Sequence, residues 1–511
     1  LGVDCIWLLP INQSPLTDDG YDVSSYYGIN PTFGHLEDFM LTLEEVHRRG
    51  MKLIVDMVMN HTSDLHPWFQ EARRSKDSPL RDFYVWTEDT NKYSEARVIF
   101  LDTEPSNWAY SSTTHEYYWH RFYTTQPDLN YDNPRVQEEM MRAIKFWLDL
   151  GVDGFRLDAV PYLYEREGTN CENLPETHEF LKKVRKFVEE NYTDRLLLAE
   201  ANQWPNDLLP YFGDGDELDM CFNFPLMPRL FMALAKRDKT PVMEVLDQMP
   251  EIPKNCQWAT FLRNHDELTL EMVTPEEREF MWNFYAPEFR QRLNLGIRRR
   301  LAPLLNNDRA RIELMYSLLF SLPGTPVLYY GDEIGMGDNV GLPDRNGVRT
   351  PMQWADQVNS GFSASPTVIT YAPVNRDPVY GFQHVNVTAQ RDDPDSMLHF
   401  VRTMILARRQ LTMLPKGKLE WMEGAPRSAL CFWRIDDSGR LLALHNLSDF
   451  PYTIVLPAGV GFVDPLDPET AVGEYVTLPA YGHRWLLEQP EPKTGKAKSG
   501  KQKETEEIQP E

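Results

Sequence analysis

The chain of 511 residues carries a formal net charge of −25, with 42% hydrophobic and 25% charged residues. An acidic surface of this kind repels phosphate backbones, so we expect no nucleic-acid partner. No apolar run approaches the roughly 20 residues that span a bilayer, and no signal peptide is recognisable, so we expect no membrane partner. Five scattered cysteines without a CxxC pair are typical of reduced thiols in a cytoplasmic protein.

Short apolar segments that end in a polar residue or a turn former predict buried parallel strands. They are Cys5–Leu9, Lys52–Val55, Gly154–Leu157, Leu196–Ala199, Leu218–Phe224, Trp258–Leu262 and Val327–Tyr330. The helical segments predicted between them are Leu36–Arg49, Val136–Leu150, Thr177–Asn191 and Asp308–Leu322. This alternation favours either a (β/α)8 barrel or a doubly wound sheet.

Acidic side chains at the strand ends decide between these two folds. Asp56, Asp158, Glu200 and Asp266 each follow or end a different predicted strand. In a barrel such ends converge on one mouth, whereas a doubly wound sheet is expected to carry one dominant loop, often glycine-rich, which is absent here. We therefore predict a (β/α)8 TIM barrel. Since the pattern supplies about seven strands, the first of the eight is expected to precede Leu1.

Two departures from the alternation predict further domains. Residues 62–130 are too long for a loop and are rich in Trp and Tyr, which predicts an inserted subdomain B over the mouth. Residues 416–489 show short strands separated by turn residues and predict a C-terminal all-β sandwich domain. Residues 1–61 and 131–415 then form the barrel, and the Lys/Glu-rich residues 490–511 are expected to be a disordered tail.

The carboxylates Asp158, Glu200 and Asp266 suit the cleavage and formation of glycosidic bonds. Transfer with retention needs two carboxyl groups about 5 Å apart, one as nucleophile and one as acid/base. Arg156 lies two residues before Asp158 on the same strand face, where it would keep that carboxylate ionised. Glu200 has apolar neighbours that would raise its pKa, so that it could stay protonated near neutral pH and act as the general acid. A single strand-end Asp is usually a helix cap, but caps do not explain this set.

The motifs around these residues resemble the α-amylase family, glycoside hydrolase family 13. They are Asp56-Met-Val-Met-Asn60-His61, Gly154-Phe-Arg156-Leu-Asp158, Glu200 and Asn264-His265-Asp266. Gln126-Pro-Asp-Leu-Asn130 is similar to an extra segment of the oligo-1,6-glucosidase branch. The resemblance implies that Asp158 is the nucleophile, Glu200 the acid/base and Asp266 the stabiliser of the transition state.

The same resemblance implies a set of substrate-binding residues. They are Asp18, Tyr21, His61, Arg156, His265 and Arg349. The two histidines would bind sugar hydroxyls, while Asp18 and Tyr21 would line the closed end of the pocket. Arg349 would pair with Asp18. A blocked pocket admits one glucosyl unit and so favours disaccharides over starch.

A structural calcium ion is also implied by the resemblance. Its ligands would be the side chains of Asn60, Asp128 and Glu165 and the backbone carbonyls of Tyr162 and Leu163. Calcium prefers oxygen ligands of these kinds. The alternative is that Asn60 and Asp128 only tie the insertion to the barrel by hydrogen bonds.

Longer stretches, among them 159–178, 199–205, 224–231 and 296–303, resemble the trehalose synthase branch (maltose α-D-glucosyltransferases). This implies intramolecular glucosyl transfer between maltose and trehalose by a retaining double displacement, with minor hydrolysis to glucose. The insertion would exclude water as a lid. A homo-oligomer and a maltokinase are the partners considered.

Alternatives stay open at this point. One is an α-glucosidase that hydrolyses maltose or isomalto-oligosaccharides. Another is a barrel left inactive by truncation. A third, a non-catalytic transporter ectodomain, predicts missing carboxylates and a membrane anchor, and the sequence shows neither.

Overall fold

A seven-stranded parallel sheet frames the molecule. The computed structural model describes residues 1–489, and the tail predicted at 490–511 lies outside them. The strands are β1 (Cys5–Leu8), β2 (Lys52–Val58), β3 (Gly154–Asp158), β4 (Leu196–Ala199), β5 (Met220–Phe222), β6 (Gln257–Phe261) and β7 (Thr325–Val327). Their order in the sheet follows their order in the chain, and every neighbouring pair is parallel. Six of the seven predicted strands are confirmed, the seventh overlaps the observed strand only at Val327, and the strand expected before Leu1 stays a prediction.

The last strand lies earlier than its apolar signal. The prediction was Val327–Tyr330, but β7 ends at Val327. Tyr329 and Tyr330 instead pack on the buried guanidinium of Arg300, with ring centroids 4.4 and 5.0 Å from its central carbon. Their apolar character therefore reflects packing on this cation, since neither residue is part of the strand.

Helices return the chain between strands. The α-helices of residues 1–489 are Leu36–Arg48, Pro67–Ala72, Pro134–Leu150, Pro175–Asn191, Pro205–Leu208, Leu226–Lys236, Thr240–Gln248, Pro275–Tyr285, Leu301–Leu304, Arg309–Ser321, Val387–Asp392, Met397–Gln410 and Met413–Lys416. The four predicted helices are among them, with ends that differ by one or two residues. Two begin earlier than predicted because a proline opens the first turn, where no backbone donor is needed. None of these helices combines the length and apolar character that a membrane crossing requires.

The insertion between β2 and helix Pro134–Leu150 carries a small antiparallel sheet. Its strands are Trp86–Thr87, Glu116–Trp119 and Trp108–Ser111, in that spatial order. A buried aromatic cluster that includes Tyr93, Trp108 and Trp119 forms its core. An isolated antiparallel β-bridge between His61 and Asp128 connects the insertion to the segment that follows β2. Other short strands near the mouth are Asn12–Gln13, Ser25–Ile29, Leu268–Thr269, Arg292–Leu293 and Gly296–Ile297.

Residues 418–489 form two antiparallel sheets. The five-stranded sheet contains, in spatial order, Lys418–Trp421, Ala429–Asp436, Gly439–Asn446, His483–Gln489 and Gly461–Val463. The second sheet pairs Tyr452–Val455 with Tyr475–Leu478. Both contribute to one buried core that includes Trp433, Ile454 and Leu478. The fold is thus a parallel (β/α) barrel with an insertion and a C-terminal all-β domain, as predicted. The exact domain boundaries stay predictions.

Candidate active site

One pocket opens at the carboxyl ends of the barrel strands. It encloses about 810 Å³ of empty space, part of it open to solvent. Asp158 ends β3, Glu200 follows β4 directly, and Asp266 stands five residues beyond β6. Of the nine predicted catalytic and substrate-binding residues, eight line this pocket: Asp18, Tyr21, His61, Asp158, Glu200, His265, Asp266 and Arg349. The ninth, Arg156, lies beneath its floor.

The buried guanidinium of Arg156 joins three carboxylates. Its Nη1 atom lies 2.6 Å from Asp158 Oδ1 and 2.5 Å from Asp56 Oδ1. Its Nη2 atom lies 2.5 Å from Glu200 Oε1. Alternation along β3 places Arg156 and Asp158 on one face of the strand, as the spacing predicted. The two candidate catalytic carboxyl groups are therefore held side by side on one cation.

Burial and charge separate the pKa values of these two groups. Burial raises the pKa of Asp158 to about 6, against the opposing effect of Arg156. Burial raises the pKa of Glu200 further, to about 8, and the neighbouring Asp158 adds to the rise while Arg156 opposes it. Near neutral pH, Asp158 is ionised while Glu200 holds its proton.

Asp266 is in the opposite electrostatic situation. Burial disfavours its charge, but nearby cations outweigh burial and hold its pKa well below the ordinary value. Arg345 Nη1 and Arg349 Nη2 each lie 2.8 Å from its Oδ1 atom. Burial also lowers the pKa of His265 well below its usual value, so this ring is neutral and the two arginines are the cations that matter. Asp266 is thus a fixed anion in the pocket.

Two neutral histidines and a tyrosine complete the polar wall. Tyr21 stacks on His265 with ring centroids 5.1 Å apart, and its hydroxyl lies 2.7 Å from His265 Nε2. Burial lowers the pKa of His61 to about 3. Neutral rings of this kind can exchange hydrogen bonds with sugar hydroxyls without adding charge.

The closed end of the pocket differs slightly from expectation. Arg349 Nη1 lies 3.4 Å from Asp18 Oδ1 but only 2.7 Å from Asp19 Oδ2. Asp18 accepts a further hydrogen bond from Gln126 Nε2 at 3.0 Å. The arginine therefore bridges both aspartates of this loop and links them to Asp266.

Some pocket residues were not assigned from the sequence. Arg345 contacts Asp266 as closely as Arg349 does. Its position four residues before Arg349 was the only hint in the sequence of this shared role, and that hint is weak. Asp56 was noted at a strand end without a role, yet it anchors Arg156 and accepts a hydrogen bond from Trp7 Nε1 at 2.9 Å. Phe100 and Phe122 line the pocket from the insertion, which no spacing rule could reveal.

Three of the candidate calcium residues, Asn60, Asp128 and Glu165, lie close together where the insertion joins the barrel. Among the described residues, Asn60 Oδ1, Asp128 Oδ2 and Glu165 Oε1 are buried and have no hydrogen-bond partner. Burial raises the pKa of Asp128 to about 8, and it raises that of Glu165 strongly, with the charge of Asp128 adding to the effect. Within residues 1–489 no site gathers three or more Asp, Glu, His or Cys side chains. The buried oxygens found here belong to one amide and two carboxyl groups, which are types that calcium accepts, and the carbonyls of Tyr162 and Leu163 stay a prediction.

The insertion is fastened across the pocket mouth. Arg97 pairs with Glu172 after β3 at 2.8 Å and with Glu271 after β6 at 2.6 Å. Tyr123 donates a short hydrogen bond to Asp344 in the loop after β7. The insertion is therefore in contact with the loops of three barrel strands.

Comparison with known proteins gives the family. The model of the alpha-amylase catalytic domain matches residues 1–282 and 298–417. The chain belongs to the α-amylase family. It is 56% identical over 463 residues to trehalose synthase/amylase TreS of Mycobacterium tuberculosis (strain CDC 1551 / Oshkosh), covering 89% of this chain and 77% of that protein. It is 53% identical to trehalose synthase of Pimelobacter sp. (strain R48), covering 95% and 89%.

More distant members share the fold. Oligo-1,6-glucosidase of Parageobacillus thermoglucosidasius is 31% identical, over 89% of this chain and 85% of that protein. The structure of trehalulose synthase MutB from Pseudomonas mesoacidophila MX-45 superposes with a TM-score of 0.76 at 26% identity, covering 96% and 92%. The α-amylase from H. orenii gives 0.74 at 30% identity, covering 96% and 90%.

Proposed function

We propose that this protein interconverts maltose and trehalose by intramolecular transfer of a glucosyl unit with retention of configuration. The main support is that the Arg156 guanidinium contacts both Asp158, at 2.6 Å, and Glu200, at 2.5 Å. Of these two carboxyl groups, Asp158 has the lower pKa. Groups held so closely suit the separation of about 5 Å used with retention better than the wider one used with inversion. Identities of 53–56% to proteins named trehalose synthase support the substrate pair.

In the first step, Asp158 attacks the anomeric carbon of the non-reducing glucosyl unit of maltose. The bond to the 4-oxygen of the second glucose breaks, and Glu200 gives its proton to that oxygen. The charge that develops on the sugar ring is oxocarbenium-like, and the fixed anion of Asp266 stabilises it. Free glucose and a glucosyl ester of Asp158 result.

In the second step, the freed glucose turns within the pocket. Its anomeric hydroxyl attacks the anomeric carbon of the ester, and Glu200 takes the proton as the bond to Asp158 breaks. Two inversions give net retention and an α,α-1,1 linkage. Water in place of glucose would give hydrolysis, so exclusion of water by the insertion favours isomerisation. The contacts of Arg97 with Glu172 and Glu271 support this lid role.

We also propose a structural calcium ion held by Asn60, Asp128, Glu165 and the carbonyls of Tyr162 and Leu163. The support is three buried oxygens without hydrogen-bond partners among the described residues, one each on Asn60, Asp128 and Glu165. A buried acceptor without a partner is costly, and a cation would remove this cost. The ion would fasten the insertion to the barrel and takes no part in the chemistry.

A cytoplasmic location is proposed on the five free cysteines, four of them buried, within a chain whose described part forms no disulfide. A homo-oligomer and a maltokinase partner stay predictions. Neither affects the reaction proposed for the pocket.

Product analysis on maltose tests the proposed function. We expect trehalose as the main product, with glucose as a minor one. Glucose as the main product would favour the α-glucosidase alternative, and the absence of both products would favour the inactive barrel. The matched control is Asp158→Ala, which should lose activity by at least about a thousandfold because the nucleophile is gone. Its circular dichroism spectrum should match that of the parent.

A further inference from the structure

We propose that Asp102, Asn294 and Glu267 form a relay that couples closure of the insertion to the pocket wall beside Asp266 and so retains the freed glucose. Glu267 acts in it as a positioning residue. The inference rests on the proposed function and deepens it, because it concerns the partition between transfer and hydrolysis. It is separate from the Arg97 contacts, which use other residues, Glu172 after β3 and Glu271 after β6.

The outer end of the relay joins the insertion to the loop after β6. The backbone N–H of Asn294 donates to Asp102 Oδ2 at 2.7 Å, and the backbone N–H of Asp102 donates to Asn294 Oδ1 at 3.3 Å. Asn294 has a φ of +48°, in the left-handed region that Asn tolerates better than most residues. The turn thus presents both the backbone and the side chain of Asn294 to the insertion.

The inner end of the relay reaches the pocket. Asn294 Nδ2 donates to Glu267 Oε1 at 3.2 Å, and Glu267 lines the pocket with only 12% of its side chain exposed. Its Oε2 atom has no hydrogen-bond partner within residues 1–489 and lies 3.7 Å from Arg345 Nη1. That same nitrogen lies 2.8 Å from Asp266. Glu267 therefore shares Arg345 with Asp266 and forms part of the pocket wall beside it, while Arg349 also holds Asp266.

Glu267 fits in its position because residue 296 is a glycine. A Cβ atom at Gly296 would lie 2.6 Å from Glu267 Cγ and 2.8 Å from the carbonyl oxygen of Leu268. Glycine at this position lets Glu267 lie against the backbone of the strand that follows Asn294. Both Asn294 and Gly296 fall between the two ranges that the general catalytic-domain model matches. The relay is thus built partly from residues outside the matched core of the family.

This arrangement has a consequence for product choice. The freed glucose must stay enclosed while it turns, and a loosened lid lets glucose leave and water enter. Loss of a relay hydrogen bond should raise the ratio of glucose to trehalose about fivefold, as expected for one net hydrogen bond. Cleavage of an aryl α-glucoside, whose leaving group need not be retained, should not change.

The experiment uses Asp102→Ala, Asn294→Gly and the double variant. Glycine at 294 keeps the left-handed backbone while it removes the side chain. Glu95→Ala is the control, since Glu95 is exposed on the same insertion and, within residues 1–489, its side chain bonds only to Ser94. The measurements are the product ratio on maltose, uptake of labelled glucose from the medium into trehalose, kcat/KM on the aryl glucoside, and Tm.

We expect the product ratio and label uptake to rise together in both single variants, and in the double variant by less than the product of the two effects. The Glu95→Ala control should match the parent protein. Unchanged label uptake in all variants would overturn the relay, as would a parallel fall of aryl-glucoside cleavage and Tm. If the parent protein itself makes only glucose from maltose, the proposed function fails, and that result is seen before any variant is made.

Discussion

At the scale of single residues, the chemistry depends on unequal environments for similar groups. Asp158, Glu200 and Asp266 are all buried carboxyl groups, yet burial and charge give them different protonation near neutral pH. Two arginines keep Asp266 ionised, whereas Arg156 must be shared among three acids. One anionic nucleophile, one acid and one fixed anion follow from these contacts.

The pH dependence of kcat/KM on maltose should be bell-shaped. Below about pH 6 Asp158 gains a proton and can no longer attack, and above about pH 8 Glu200 loses the proton that the leaving oxygen needs. The two apparent pKa values belong to the coupled pair. The check is a profile from pH 4.5 to about 9.5 with glucosyl fluoride as a second substrate. Fluoride leaves without being protonated, so the loss of activity above about pH 8 should be weaker with glucosyl fluoride than with maltose. An equal loss with both substrates would contradict the role of Glu200.

At the scale of elements, the insertion relies on contacts with the barrel to hold its position. Its sheet has only three short strands, and its ends are fixed to the barrel at the His61–Asp128 bridge. The buried oxygens of Asn60, Asp128 and Glu165 lie at this junction without partners among the described residues. The junction is therefore where a bound cation would have most effect on order.

Calcium removal should loosen this junction. After calcium-free purification and a mild EDTA wash, we expect Tm to fall by several degrees and to recover when calcium is added back, because a ligand bound only by the folded state stabilises it. Magnesium should restore less, since it accepts the irregular oxygen set poorly. Asp128→Asn should reduce the response to calcium. An unchanged Tm, with no calcium found by elemental analysis, would count against the site.

At the scale of the whole molecule, the C-terminal domain and the barrel share one core. Residues of the five-stranded sheet, among them Phe432 and Trp485, belong to the same buried cluster as helix Arg309–Ser321. Ser317 on this helix lies at the centre of the junction. Its hydroxyl lies 2.9 Å from His445 Nε2 and accepts a hydrogen bond from Trp485 Nε1 at 3.0 Å. The two parts are expected to unfold together.

Ser317→Ala tests this coupling. It leaves the buried nitrogens of His445 and Trp485 without this partner, which should cost about 2–3 kcal/mol of unfolding free energy. Chemical denaturation should still show one transition, and kcat/KM should stay near that of the parent because Ser317 is not among the residues that line the pocket. The control is Ser94→Ala on the exposed insertion surface. Two separate transitions, with only the first shifted, would contradict a shared core.

The sequence by itself determined the strands, the barrel and the acidic residues at its mouth. These follow from local patterns: apolar runs of strand length, polar residues where strands end, and motifs such as 154–158 and 264–266. Parallel strands bring their carboxyl ends together, so the convergence of Asp158, Glu200 and Asp266 was predictable without distances.

Only the tertiary structure decided which cation serves which carboxylate and what covers the pocket. Arg345 and Asp266, or Asp102 and Asn294, are far apart in sequence, and no periodicity links them. Tyr329, just beyond the end of β7, likewise packs on Arg300, which lies on another segment. Contacts of this kind arise from long-range packing and from the pairing of buried charges, which act only after the chain has folded.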